Sequence, residues 1–167
     1  MKMLEADISK KLKNFDLDLR FEAEDGCLGI LGASGCGKSM TLKAVAGLVR
    51  PDRGKIRRDG SVLFDSGRGI DLPPQKRQVG YLFQDYALFP NMTVAQNIEA
   101  GLLRSRQDKS ARREQVRRLI CQFRLEGLEN QYPARISGGQ QQRTALARIF
   151  ASDARCILLD EPFSAMD

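Results

Sequence analysis

Residues 32–39, GASGCGKS, directly follow the apolar run 27–31, CLGIL. The segment fits the pattern G-x-x-x-x-G-K-[ST], with Lys38 and Ser39 at its end. Glycines allow successive backbone N–H groups to approach phosphate oxygens, and a helix N-terminus adds partial positive charge. The segment therefore predicts a loop that binds a nucleotide phosphate chain.

Within this predicted loop, Lys38 is expected to reach the β- and γ-phosphates, and the Ser39 hydroxyl is expected to bind Mg²⁺. The alternative is a glycine-rich turn with an incidental lysine. The apolar run before the loop and the helical pattern after it favour the phosphate-binding interpretation. The candidate nucleotide-binding residues are Gly32, Ala33, Ser34, Gly35, Cys36, Gly37, Lys38, Ser39 and Met40.

A second apolar run, CILLD at 156–160, ends in Asp160 and is followed by Glu161. Asp160 is placed to hold Mg²⁺, and Glu161, one residue further, points elsewhere and can polarise an attacking water. Phosphoryl transfer needs one group for the metal and another for the nucleophile. Alone, an apolar run that ends in two carboxylates is a weak signal, but it gains weight beside a phosphate loop.

The composition narrows the chemistry that the chain can use. Its 167 residues include no histidine, which removes the commonest general base. The four cysteines lack CxxC spacing, which argues against a zinc site or a disulfide framework. No apolar run approaches the roughly 18 residues that span a bilayer, and the start lacks the apolar stretch of a secretory signal. We therefore expect a cytosolic protein.

The formal net charge is +6, and much of the excess lies in the basic run 104–118. A solvated helix face is the simplest interpretation of that run. Nucleic acid, an acidic membrane surface and anionic small ligands remain alternatives.

Apolar and charged residues alternate strictly over residues 15–21, FDLDLRF, which predicts a half-buried strand. It is expected to pair with the run around Leu4–Ile8 and then with KIRRDGSVLF, in which Asp59-Gly60 is a hairpin turn signal. These segments predict a small antiparallel sheet.

Three continuous apolar runs predict strands that are buried on both faces: 27–31, 79–83 and 156–160. Helical patterns lie between them, one of which opens with the capping box at 93–96. Buried strands that alternate with helices indicate an α/β fold with a parallel sheet. The predicted helices cover 39–48, 93 to about 103, 110–123 and 140–151.

At Ile136-Ser137-Gly138-Gly139-Gln140 the chain resembles the LSGGQ signature of ATP-binding cassette (ABC) ATPases. The phosphate loop, Gln84 in YLFQDYALFP, CILLDEP and SAMD at 164–167 follow the order of that family's motifs. Two longer segments are similar to sequences of one branch of that family, the ATP-binding subunits of bacterial importers for molybdate and sulfate and their relatives for iron and polyamines. These segments are DLPPQKRQVGYLFQDYALFPNMTVAQNI and ISGGQQQRTALAR.

The resemblance implies a P-loop NTPase fold, with a RecA-like parallel-sheet core, a small antiparallel β-subdomain and a helical signature subdomain. We expect residues 1–84 and 155–167 to form the core with the β-subdomain, and residues 85–154 to form the helical subdomain. A serine and two glycines before a helical pattern also suit phosphate on physical grounds, because they leave a helix N-terminus exposed.

The resemblance also implies roles for particular residues. Gln84 matches the glutamine that senses Mg²⁺ and the attacking water, and Glu161 matches the catalytic base. Asp167 matches an aspartate that crosses the dimer interface. Residues Ser137, Gly138, Gly139 and Gln140 match the signature, whose Ser137 and Gly139 positions contact ATP held by the other subunit. The implied catalytic residues are Glu161, Gln84 and Lys38, and the implied metal ligands are Ser39, Gln84 and Asp160.

The family's usual ligands and partners complete the expectation. ATP and Mg²⁺ are the expected ligands. The chain is expected to pair with itself or with a second ABC subunit, and to sit on the inner face of the membrane through transmembrane permease subunits. A solute-binding protein would act indirectly, and no direct contact with nucleic acid is expected.

The sequence departs from the family pattern in three places. Met40 stands where the family usually has serine or threonine. Leu12 stands at the position where the family stacks an aromatic residue on adenine, and Phe15 is the nearest aromatic, although the alternating strand favours Phe15 as a core residue. No switch histidine follows Asp167, so we expect the chain to be an N-terminal fragment of a longer ATPase.

The most consistent interpretation is an ATP-hydrolysing subunit of an importer, with a molybdate- or sulfate-type oxyanion as solute. Two other classes stay open: a non-transport ABC ATPase that acts on nucleic acid or ribosomes, and a non-catalytic remnant that binds nucleotide only.

Overall fold

The computed structural model describes residues 2–12, 15–33, 35–103 and 107–162. Ser34 in the phosphate loop and Asp167 at the end of the chain lie outside the described residues. The chain forms two compact units, residues 1–77 and residues 78–167, here called unit 1 and unit 2.

Unit 1 is built on an antiparallel sheet whose described strands lie in the order β2-β1-β3-β4-β5. The strands are β1 (Lys2–Lys11), β2 (Asp16–Glu24), β3 (Arg53–Arg58), β4 (Ser61–Asp65) and β5 (Ile70–Asp71). The pairing of β1 with β2 and the β3–β4 hairpin at Asp59-Gly60 confirm the sequence prediction. The prediction that β2 itself pairs with KIRRDG is wrong, because β1 lies between β2 and β3 and pairs with both.

Apolar residues at every second position of the central strands form the core of unit 1. Leu4, Ala6 and Ile8 on β1 are all at most 5% exposed. In the register, Ala6 stands opposite both Phe21 on β2 and Ile56 on β3, so apolar side chains meet on one face of the sheet. The opposite face carries charged residues such as Asp7 and Arg20, whereas Arg58 of β3 stands opposite Leu4 and is 6% exposed.

The apolar run 27–31 is not a strand, which corrects the sequence prediction. Its residues are exposed, with Leu31 95% accessible. A strand exists only where a neighbouring ladder satisfies its backbone groups, and composition alone does not supply that neighbour. Among the described residues, no strand pairs with this run.

Helix α1 (Lys38–Ala46) begins directly after the phosphate loop and ends at Gly47. Gly37 before it and Gly47 after it both have left-handed backbones, with φ 101° and 81°. Left-handed glycine at a helix C-terminus turns the chain so that terminal carbonyls find donors, and here Gly47 N–H donates to Ala44 and Lys43. The predicted helix at 39–48 is therefore confirmed within two residues.

Arg77 is fully buried and binds the C-terminal end of α1. Its Nη1 donates to the carbonyls of Ala44 and Val45 at 2.8 and 2.9 Å. Nε donates to the Leu72 carbonyl at 2.7 Å, and Nη2 pairs with Asp71 at 2.9 Å. Burial lowers the pKa of the Arg77 guanidinium, and the Asp71 carboxylate opposes that shift. A cation at this end suits the helix dipole and fixes the axis of α1.

The described residues of unit 2 form a parallel pair of strands and three helices. Strands β6 (Val79–Leu82) and β7 (Cys156–Leu159) pair in parallel, which confirms that both runs are strands. The predicted burial on both faces is wrong for β7, where Leu159 is 42% exposed. The predicted helices correspond to α2 (Val94–Ala100), α3 (Lys109–Gln122) and α4 (Gly138–Ala151), and α2 ends earlier than expected. Short 3₁₀ turns lie at Pro74–Lys76 in unit 1 and Pro133–Arg135 in unit 2.

The three helices of unit 2 share one apolar cluster around Ile98, Leu102, Leu119, Leu125 and Ala147. All three lie inside the predicted helical subdomain, residues 85–154, whose exact boundaries stay a prediction. On α3 the exposed Arg117 and Arg118 pair with Glu114, as expected for a solvated helix face. Among the described residues, no helix is long and apolar enough to cross a membrane.

We expect Gly47→Ala to destabilise the protein more than Gly60→Ala does. Both glycines have positive φ, so each substitution meets backbone strain of about 1–2 kcal/mol. Only at Gly47 would the new Cβ also lie 2.6 Å from the Arg77 Nε, and Arg77 is held by four hydrogen bonds. Overpacking there should add roughly 1–3 kcal/mol.

The measurement is the free energy of unfolding in urea for both variants and the parent. Gly60 is the matched control because no atom lies within 4 Å of its added Cβ. Equal losses in the two variants would show that Arg77 does not constrain the end of α1.

Candidate active site

The phosphate loop, residues 32–39, is closed by its own lysine. Lys38 Nζ donates to the carbonyls of Gly32 and Ala33 at 2.8 and 2.9 Å. Cys36 N–H donates to the Ala33 carbonyl at 3.3 Å, and a Cβ at Gly32 would lie 2.6 Å from the Cys36 Sγ. Two carbonyls of the described part of the loop therefore face the Lys38 ammonium, and the contact of Lys38 with phosphates stays a prediction.

The N-terminus of α1 follows this loop directly. Thr41 donates from both its N–H and its hydroxyl to the Gly37 carbonyl, at 2.8 and 3.0 Å. Ser39 and Met40, in the first turn, are half-buried. The free N–H groups of a first helical turn point along the axis toward the loop, which suits an anion there.

Phe15 lies beside the phosphate loop and outside the strand. It is 38% exposed, and its ring is 3.3 Å from the position of a Cβ on Gly37. The interpretation of Phe15 as a core residue of the alternating strand is therefore wrong, because β2 begins only at Asp16. Leu12, at the position where the family has its aromatic residue, is half-buried and donates its N–H to the Phe15 carbonyl.

The predicted catalytic carboxylates follow β7 in unit 2. Asp160 is 7% exposed, and the Tyr81 hydroxyl donates to its Oδ2 at 2.8 Å. Burial first, and then the Asp160 carboxylate, raise the pKa of Tyr81 above its ordinary value. Tyr81 therefore stays a neutral donor and fixes one oxygen of Asp160.

Gln84 and Glu161 meet at the same edge of the strand pair. Gln84 Nε2 donates to Glu161 Oε2 at 3.0 Å, and both side chains are exposed. Glu161 has a left-handed backbone with φ 50°, a strained state for glutamate that is common at functional sites. The parallel register sets this meeting, because Leu82 stands opposite Leu159 where the two strands end.

The signature residues form the start of α4. The Ser137 hydroxyl accepts from Gln140 N–H at 3.3 Å, and Gln140 Oε1 accepts from Ser137 N–H at 2.8 Å. Gly138 and Gly139 are exposed, with open space where a Cβ would lie. The arrangement leaves backbone N–H groups of the first turn accessible to an anion.

The structure thus brings Gln84, Asp160 and Glu161 together in unit 2 and forms the phosphate loop in unit 1. Sequence reasoning missed two side chains in unit 2. Tyr81 lies within a predicted apolar strand, and its hydroxyl is a signal for a hydrogen-bond partner. Gln142, which donates to the Pro162 carbonyl at 2.5 Å, gave no signal that distinguishes it from its neighbours.

The donor set suits magnesium better than a metal held by the protein alone. Within the described residues, no three His, Cys, Asp or Glu side chains cluster to hold an ion. Magnesium prefers oxygen ligands and usually takes one or two carboxylates together with substrate phosphates. Asp160, with Tyr81 on one oxygen, and the Gln84 amide oxygen belong to that class.

We expect the stability that Tyr81 contributes to depend on pH. Folding raises its pKa above the ordinary 10.0, so the contribution is fully present below pH 10.0 and is lost as the pH rises toward the folded value. The free energy of unfolding should therefore fall more steeply above pH 10.0 in the parent protein than in Tyr81→Phe.

Urea denaturation at stepped alkaline pH measures both slopes. Tyr132→Phe, at a tyrosine that is 49% exposed, is the control and should follow the parent. Identical slopes for the parent and Tyr81→Phe would contradict the buried hydrogen bond to Asp160.

Comparison with known proteins places these features in one family. Residues 12–164 match the ABC transporter family. The chain is 42% identical over 167 residues to the molybdenum import ATP-binding protein ModC of Paramagnetospirillum magneticum, covering 99% of this chain and 45% of that protein. It is 42% identical over 170 residues to the sulfate/thiosulfate import ATP-binding protein CysA of Synechocystis, covering 100% and 46%. The chain thus spans about half the length of these relatives.

Solved structures show the same fold. The ATP-binding cassette MJ0796, in a dimeric post-hydrolysis state bound to ADP and Pi, aligns with a TM-score of 0.82 and 28% identity, over 99% of this chain and 76% of that one. This fold confirms the predicted P-loop NTPase class, with an antiparallel sheet, a parallel strand pair and helices. The chain belongs to the ABC transporter family of ATP-binding cassettes.

Proposed function

We propose that the chain binds and hydrolyses ATP and that it serves as the ATP-binding subunit of an importer. The observation that carries the proposal is the contact of Gln84 with Glu161, beside an Asp160 held by Tyr81. That arrangement separates a group for the metal from a group for water, as phosphoryl transfer requires.

The phosphate loop supplies the binding energy. In the proposed complex the Lys38 ammonium turns from the carbonyls of Gly32 and Ala33 toward the β- and γ-phosphates. Backbone N–H groups of the loop and of the first turn of α1 donate to the same oxygens. Phe15, partly exposed beside Gly37, is the aromatic residue that we expect to stack on adenine.

Magnesium, when bound, neutralises charge that develops on the phosphates. Ser39, Asp160 and the Gln84 amide oxygen would hold it, Asp160 through water. Glu161 accepts a proton from a water that Gln84 orients. The water oxygen forms a bond to the γ-phosphorus as the bond to the β-phosphate oxygen breaks, which leaves ADP and phosphate.

A dimer would complete the site. The exposed first turn of α4, residues 137–140, is a second place where backbone donors face solvent. Ser137 and Gly139 would contact the γ-phosphate of ATP held by the partner, so that two chains enclose two nucleotides. The solved relative that aligns over 99% of this chain is itself dimeric.

The relatives named for import suggest the partners. Both are import ATP-binding proteins, one for molybdenum and one for sulfate or thiosulfate. We infer a molybdate- or sulfate-type oxyanion as solute, and permease subunits that hold the chain on the inner face of the membrane. Hydrolysis would then reset those subunits, while a solute-binding protein acts without touching this chain.

The test replaces the proposed base. Glu161→Gln should bind ATP but lose most hydrolysis, about a hundredfold or more, because general base catalysis contributes about 10²–10⁴-fold. The bound ATP should also shift this variant from monomer to dimer in analytical ultracentrifugation. Glu126→Gln is the control, at an exposed glutamate that is distant in sequence from Glu161, and it should hydrolyse ATP like the parent.

Two further variants in the Glu161→Gln background distinguish a loss of signature contacts from a general loss of stability. Ser137→Ala and Thr93→Ala each remove the capping side chain of a capping box, with a similar cost of about 1 kcal/mol. Only Ser137→Ala should abolish the ATP-dependent dimer. Hydrolysis by Glu161→Gln at the parent rate would refute the role of Glu161, and a dimer that survives Ser137→Ala would refute the shared site.

A further inference from the structure

The backbone directly after Gln84 adopts an unusual conformation. Tyr86 and Ala87 are consecutive residues with left-handed backbones, at φ 61° and 42°. Tyr86 N–H donates to the Phe83 carbonyl at 2.9 Å, which closes a turn around Gln84. Residues other than glycine hold such a backbone only where the surroundings impose it. Residues 83–89 are here called the Gln84 loop.

Arg148 on α4 binds this loop at both strained residues. Nη2 donates to the Tyr86 carbonyl at 3.0 Å, and Nη1 donates to the Ala87 carbonyl at 2.9 Å. The guanidinium carbon lies 5.2 Å from the centre of the Phe89 ring. A planar fork on two successive carbonyls fixes the orientation of the peptide between them, which a single hydrogen bond does not do.

The placement of Arg148 is costly for a residue that only packs. Burial lowers the pKa of its guanidinium, and none of the described carboxylates offsets this. Arg148 is half-buried, so its guanidinium loses part of its hydration, and the two carbonyls and the aromatic face replace some of the contacts that water would make. These contacts with the Gln84 loop therefore offset the cost of placing a cation there.

Other elements hold the two ends of the Gln84 loop. Its start continues from β6. At its end, buried Asn97 on α2 accepts from Phe89 N–H at 2.9 Å and donates to the carbonyls of Phe89 and Met92 at 3.1 and 3.0 Å. Arg148 therefore adds a middle support that belongs to α4, the helix whose first turn carries the signature.

We propose that Arg148 is a positioning residue that ties Gln84 to α4, so that a displacement of the signature end of α4 changes the contact between Gln84 and Glu161. Ten residues separate Gly138 from Arg148, about 15 Å along one helix. The helix transmits the displacement as a rigid rod. The catalytic consequence rests on the proposed function, whereas the tie itself does not depend on nucleotide.

The first measurement follows the Gln84 side-chain amide by nuclear magnetic resonance, with its signals identified by their absence in Gln84→Ala. Arg148→Met should move these signals toward the positions of a free glutamine. Arg148→Lys keeps a cation but lacks the fork, so it should give a smaller shift. This milder variant also keeps the test decisive if Arg148→Met does not fold.

Arg143→Met is the matched control. Arg143 lies on the same helix and also donates to two successive carbonyls, those of Phe123 and Arg124, at 3.1 and 2.8 Å. Arg124 likewise has a left-handed backbone, with φ 53°. The control therefore removes the same kind of contact from α4 but should leave the Gln84 signals unchanged.

The second measurement is ATP hydrolysis by the same variants. Arg148→Met should lower kcat about tenfold, the effect of losing hydrogen bonds from a charged donor, while KM for ATP stays within about twofold because the phosphate loop is untouched. Arg148→Lys should restore part of kcat. Arg143→Met should keep both constants.

Each outcome decides a separate statement. Unchanged Gln84 signals in folded Arg148→Met would overturn the tie. Altered signals with unchanged kcat would overturn its catalytic consequence, as would an equal loss in Arg143→Met. A parent protein that does not hydrolyse ATP would count against the proposed function, and the Gln84 signals would still decide whether Arg148 holds the loop.

Discussion

The contact of the Lys38 ammonium with the carbonyls of Gly32 and Ala33 organises the phosphate loop. Both carbonyls thereby lie next to the positive charge of the first residue of α1. The direction of α1 then matters, because its first N–H groups must face the same space. Arg77 fixes that direction from the opposite end of the helix, and Gly47 gives the guanidinium its room.

In unit 2, polar groups from distant parts of the chain come together. The parallel pairing of β6 and β7 ends both strands at one edge, so that the residues after them become neighbours. Tyr81 and Gln84 come from one strand and its loop, and Asp160 and Glu161 come from the other. The helix α4 adds Gln142 to the same edge through the Pro162 carbonyl.

Features that depend on local sequence were predictable. The helix after the phosphate loop, the capping box at Thr93 and the Asp59-Gly60 hairpin each depend on residues within one or two turns. The bounds of α1, α3 and α4 followed from the same signals. The meeting of Gln84 with Glu161 was predictable only through the family resemblance.

Features that depend on distant partners were not predictable in this way. The run 27–31 has the composition of a buried strand but no ladder, and the position of β1 between β2 and β3 follows from tertiary pairing. Arg77 and Arg148 resemble surface arginines in the sequence, yet each binds successive carbonyls of another element. No local pattern encodes those contacts.

Nucleotide binding at the phosphate loop is tested most directly by calorimetric titration of the protein with ATP, with and without magnesium. We expect magnesium-dependent binding that weakens about tenfold or more in Lys38→Met, because a charged hydrogen bond to phosphate is lost. Lys43→Met, in the last turn of the same helix, should bind like the parent. Absence of binding by the parent, or equal affinity of Lys38→Met, would contradict the central claim.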